Sequence, residues 1–141
     1  MKILQFAFDS REESDYLPHN YSSNCVVYTG THDNDTVLGW LDEMAAEDME
    51  FAKRYMNNAD TAKEDLPWDF IRLAFASVAD KAIIPIQDYL CLGGEARINR
   101  PSTLGINWKW RLLPGQIKDE MLEKMKEMTK LYGRLPAEKA E

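Results

Sequence analysis

Residues 28–36, Tyr28-Thr29-Gly30-Thr31-His32-Asp33-Asn34-Asp35-Thr36, place an imidazole, a carboxamide and two carboxylates at consecutive positions. Such a group can hold a polar ligand and oppose positive charge that develops on it. A carboxylate accepts hydroxyl hydrogen bonds, and an imidazole donates or carries a proton. Gly30 lets the backbone turn where a Cβ would obstruct. Asp35 or Thr36 suits the N-cap of a following helix, and capping rather than ligand chemistry is the reading of Asp35. Asp33 comes too early for that work and is the candidate catalytic or ligand-holding group. His32 reads best as a hydrogen-bond donor to the ligand, because the neighbouring carboxylate already supplies the negative charge. A proton carrier and a structural histidine are its other readings.

Something must position this segment. Three short, nearly continuous apolar runs, at 3–8, 25–28 and 82–86, suit strands covered on both faces, as in parallel sheets. Pro85 fits only near a strand's C-terminal end. Helical spacing is read over 42–56, with Met44, Ala45, Met49, Ala52 and Met56 as its stripe. A second helix is read over 66–79, with Trp68, Ile71, Phe75 and Val78 inward and Pro67 in its first turn. A third spans 116–132, with Ile117, Met121, Leu122, Met125, Met128 and Tyr132 inward and Gly133 ending it. The tail, 136–141, is read as frayed. Strands alternating with helices predict an α/β fold with parallel strands. Working residues in such folds lie just past the C-terminal strand ends. That selects 9–24, 30–36 and 87–110.

The chain has 141 residues, 17 Lys+Arg against 24 Asp+Glu, and a net charge of -7. This length suits one domain. The acidic balance, with no basic block, argues against a nucleic-acid surface. Arg97, Arg100, Lys109 and Arg111 form only a local basic cluster. No apolar run reaches the ~20 residues of a membrane helix, and the N-terminal residues lack a signal-peptide pattern. Cys25 and Cys91 lie far apart, in no CxxC or Cys-His arrangement, so no metal site is expected. Both are read as buried, reduced core residues, which makes the cytoplasm the default compartment.

The segments Leu4-Gln5-Phe6-Ala7-Phe8, Tyr16-Leu17-Pro18-His19-Asn20-Tyr21 and Val27 to Thr36 strongly resemble the amylomaltases, which are 4-α-glucanotransferases. Ile84-Pro85-Ile86-Gln87-Asp88-Tyr89-Leu90, Arg97-Ile98-Asn99 and Asn107-Trp108-Lys109-Trp110-Arg111 continue the match in order. One departure is local: the family's Asn-x-Pro-Gly-Thr stands here as Asn99-Arg100-Pro101-Ser102-Thr103.

The resemblance implies the C-terminal part of a (β/α)8 TIM barrel, a single partial domain over 1–141. It implies about three parallel strands with flanking helices, the barrel's sixth to eighth strands. It implies a retaining double displacement that cuts an α-1,4-glucan and passes the segment to the 4-hydroxyl of a glucan or glucose, with no cofactor. By that match Asp33 is the transition-state-stabilising carboxylate, His32 binds the same sugar and Asn99 binds a neighbouring donor sugar. Arg97 supports the loop, and Trp108 and Trp110 either stack on sugar or pack the loop.

The family's nucleophile and acid/base carboxylates fall upstream of the matched part. Asp9, Asp15 and Asp88 sit in no motif resembling them. Met1 falls inside the first matched strand, so the chain reads as truncated and is expected to be inactive alone. Three strands cannot close a barrel, so open edges are expected to make it associate or remain partly molten. The missing upstream part is then a possible partner. The alternative reading is a non-catalytic maltooligosaccharide-binding or complementing fragment. A metal-dependent phosphohydrolase, suggested by the His32-Asp33 dyad, lacks the further histidines that class uses. A purely structural module leaves the polar crowding at three strand ends unexplained.

Overall fold

The computed structural model describes residues 1–137; of the tail predicted to fray, 136–141, residues 138–141 lie outside the described residues. Three strands, β1 (Lys2–Ile3), β2 (Val26–Tyr28) and β3 (Lys81–Ile83), form one sheet in the order β1-β2-β3. Both pairings are parallel. Lys2 lies opposite Val27, and Val27 opposite Ala82. All three strand ends therefore point the same way, and the loops that follow them share one face.

The strands are shorter than the apolar runs that announced them. After Ile3 the chain coils into a 3-10 turn, Leu4–Phe6, which buries Leu4 and Gln5. Pro85 stands just beyond β3 and opens the single turn α4 (Ile86–Tyr89). Its missing N–H costs nothing at that position.

Two helices, α1 (Val37–Glu43) and α2 (Ala46–Tyr55), replace the single helix read over 42–56. The chain is extended at Met44, with ψ 138°, and again at Ala45. Gly39 weakened the helical signal of α1. Its absent side chain is needed there, because a Cβ would come 2.5 Å from Asp35 Oδ1. The cap of α1 is Thr36, whose Oγ1 accepts from Gly39 N at 3.1 Å. Asp35, the other cap candidate, instead accepts from Thr36 N at 2.7 Å.

α3 (Leu66–Ala76) carries Pro67 in its first turn. It buries Leu66, Phe70, Ile71, Ala74 and Phe75, while Val78 lies past its end and is exposed. α5 (Asp119–Leu131) ends before Gly133, whose φ of +67° suits glycine. Of its expected stripe, Met128 is buried and Tyr132 partly so, but Leu122 is exposed. The core packs Phe8 edge-to-face against Phe51, Tyr55 and Phe70, with ring centroids 5.6–5.8 Å apart. Cys25 and Cys91 are free but only half-buried, a correction to their expected burial. Cys25 packs against the core without being covered by it.

β1 and β3 are each paired on one side only among the described residues. Lys81 and Ile83 of β3 are exposed. The sheet thus presents two open edges.

Candidate functional site

The loop after β2 and the loop after β3 meet at Asp33. Asn99 Nδ2 donates to Asp33 Oδ1 at 2.8 Å, and His32 Nε2 stands 3.3 Å from the same oxygen. Among the described residues no hydrogen-bond donor reaches Oδ2. One carboxylate oxygen is therefore anchored and the other is free to accept from a ligand hydroxyl. The His32 and Asp33 side chains are 55% and 54% exposed, so a ligand can reach both.

Arg97 ties the two loops together. Its Nη2 donates to the Asp33 carbonyl and its Nε to the Asn99 carbonyl, each at 2.8 Å. Its Nη1 lies 3.9 Å from Asp35 Oδ2. The supporting role read from sequence matches this geometry. Gln5 supplies a brace from the turn that follows β1, donating through Nε2 to the Asp35 carbonyl at 2.8 Å. A Cβ on Gly30 would fall 2.5 Å from that same nitrogen, so a larger residue there would displace the Gln5 brace. Asn34 accepts from both Thr31 N and Thr31 Oγ1 at 2.9 Å, which closes the loop on itself.

The Trp108 ring lies 5.2 Å from the His32 ring, tilted by 38°, and Trp108 is 55% exposed. Its φ of +62° is unusual for a bulky residue. The backbone there is held by Trp108 N donating to the Ile98 carbonyl at 2.7 Å. Strain of this kind concentrates at ligand sites. Beside Asn99 a cleft of about 400 Å³ opens, walled by Arg97, Arg100, Asn107, Lys109 and Trp110. The structure thus brings together all three predicted site residues. It adds Gln5, which the sequence showed only as a lone polar residue inside an apolar run and as part of a family-like segment, with no role assigned.

A family model described as 4-alpha-glucanotransferase matches residues 1–117. The chain belongs to the 4-alpha-glucanotransferase family. A relative from Clostridium butyricum is 48% identical over 135 residues, 95% of this chain and 27% of the relative. A chloroplastic/amyloplastic relative from Arabidopsis thaliana is 44% identical over 139 residues, 96% of this chain and 24% of the relative. Among solved structures, an amylomaltase from Streptococcus agalactiae in complex with acarbose superposes with a TM-score of 0.91 at 33% identity. That superposition covers 96% of this chain and 27% of that one. The chain spans about a quarter of the length of the family members it matches. Its three-stranded parallel sheet with flanking helices corresponds to a fragment of the amylomaltase TIM-barrel fold. Among the described residues no helix is long and apolar enough to cross a membrane.

The family's Gly position within the turn at 99–103 is Ser102 here. Ser102 adopts φ +61°, the left-handed region that glycine enters without penalty. Ser102→Gly is expected to stabilise the folded chain by about 1 kcal/mol, read as a rise in urea midpoint. An unchanged or lower midpoint would show that the turn tolerates serine freely.

Proposed function

We propose that this chain carries the donor-sugar side of a 4-α-glucanotransferase of the amylomaltase type, acting on α-1,4-glucans by a retaining double displacement. The observation that carries the reading is the convergence of His32, Asp33 and Asn99 at the C-terminal ends of two adjacent parallel strands. Asp33 Oδ2 accepts from the hydroxyls of the sugar beside the scissile bond. Those bonds strengthen as the ring flattens toward its oxocarbenium-like transition state. His32 donates to the same sugar, and Asn99 both fixes Asp33 and faces the neighbouring one. Trp108 offers an exposed indole face on which a pyranose can stack.

The retaining reaction also needs a nucleophile and an acid/base about 5 Å apart. By the family resemblance both fall upstream of the part matched here. Asp88, the one carboxylate following β3 directly, is 1% exposed and cannot reach a substrate. The 141 residues alone are therefore expected to be inactive. A polypeptide joining them to the upstream three quarters of the Clostridium butyricum relative is expected to convert maltotriose to glucose and longer glucans. Failure of a folded joined polypeptide to do so would refute the assignment.

The second reading, a maltooligosaccharide-binding fragment without catalysis, draws on one observation: His32, Asp33, Asn99 and Trp108 all lie on this chain. It predicts a saturable change in tryptophan fluorescence when maltooligosaccharides are added to the chain alone. No change at millimolar sugar would leave the fragment inert.

A further inference from the structure

α4 is a single turn, yet it buries two consecutive polar side chains, Gln87 and Asp88. Asp88 is the most deeply buried carboxylate among the described residues and makes two hydrogen bonds. Thr29 Oγ1 donates to its Oδ2 at 2.6 Å, and Val37 N donates to its Oδ1 at 2.8 Å. Thr29 directly follows β2, and Val37 is the first residue of α1. One carboxyl group therefore ties both ends of the loop that carries His32 and Asp33. Gln87 acts on the other loop: its Nε2 donates to the Ala96 carbonyl at 3.2 Å, next to Arg97.

Burying two polar groups in one turn is unfavourable unless each bond is made. An apolar pair would fill this space at lower cost, so packing alone does not account for them. A small cavity of about 10 Å³, lined by Asp35, Thr36, Gln87, Asp88 and Arg97 together with Pro85, lies where the two loops touch. It is the size that admits a single water.

We infer that Gln87 and Asp88 are positioning residues, a buried clasp that holds the two loops at the spacing which lets Asn99 meet Asp33. This deepens the site proposed above and says what fixes its geometry. The clasp acts through the loops and touches no substrate.

The test reads the fold directly and needs no sugar, so it stands or falls apart from the glucanotransferase assignment. Amide exchange is followed residue by residue in the 141-residue chain. Thr29→Val removes one bond while keeping shape. It is expected to speed exchange at Val37 about 10-fold, the equivalent of one neutral hydrogen bond. Thr29→Ser keeps the hydroxyl and is expected to stay within about threefold. Asp88→Leu removes both bonds and is expected to give about 100-fold. Asp88→Asn can still accept from Val37 N and donate to Thr29 Oγ1, and should rescue.

In each loosened variant the Asn99 side-chain amide resonance should move toward its free position, while Ile71 and Phe75 amides in α3 stay within about threefold. Uniform acceleration across loop and core alike would mean a merely structural role and overturn the proposal. So would an unchanged Val37 amide in Thr29→Val, or no protection at Val37 in the unaltered chain. If Asp88→Leu does not fold, the Thr29 pair still decides.

Discussion

Asp33→Asn, placed in the polypeptide joined to the upstream barrel segment, is expected to lower the turnover of maltotriose about 10³-fold. That corresponds to about 4 kcal/mol of transition-state stabilisation. Asn keeps the shape of the side chain and can still accept from Asn99 Nδ2, the 2.8 Å bond that fixes Oδ1. What it loses is charge and the acceptor at Oδ2. The effect should therefore fall on kcat more than on KM, because the hydroxyl bonds tighten as the ring flattens. The half-exposed setting of Asp33 is compatible with a large effect only when substrate and the rest of the barrel exclude water. A loss of less than tenfold, or a loss confined to KM, would show that Asp33 merely binds ground-state sugar.

The two halves of this site were unequally legible in the sequence. His32 and Asp33 could be found from residue types alone, because Gly30 and the preceding apolar run place them at a strand end. Asn99 could not. It lies 66 residues away from Asp33, in an irregular loop with no periodicity, and only the family motif singled it out. Arg97 was legible as a support but not as a bridge between loops, since that needs the third dimension.

Local structure shows the same division. Residues with strong local chemistry, Pro67 at a helix start and Gly133 at a helix end, were placed correctly. Where tertiary contacts set the outcome, the pattern misled. α1 was hidden by Gly39, whose missing Cβ makes room for Asp35. Asp35 was drawn from the cap by its place between Thr36 and Arg97. The apolar run at 3–8 ends its strand after Ile3 because the following turn must deliver Gln5 to the loop after β2. Leu122 of α5 reads as core from sequence but is exposed, because periodicity reports what a helix can bury, not what this chain provides to cover it.

Asp88 was the least legible residue of all, a single carboxylate among Ile86, Gln87, Tyr89 and Leu90. Its burial leads to the second large expected effect, on stability against pH. Burial pushes its carboxyl up to about 6, against the lowering influence of the bonds from Thr29 and Val37, and the nearby Asp35 raises it further. The other ionisable groups facing it are Arg97, across the small cavity, and Cys91, one turn on. In the unfolded chain the group returns to its ordinary value of 3.8. A carboxyl raised on folding contributes stability that is fully present below its unfolded value and is lost as pH rises through its folded one. The loss therefore falls between about pH 4 and pH 6.5, and two pKa units correspond to about 3 kcal/mol. Asp88→Asn reproduces the hydrogen bonds of the neutral acid and cannot ionise. Its urea midpoint is expected to match the unaltered chain near pH 4 and to exceed it above pH 7, with the gap opening through pH 6. Parallel midpoint curves for the two proteins across this range would mean that Asp88 stays ionised throughout and that its two bonds, not its desolvation, set its charge.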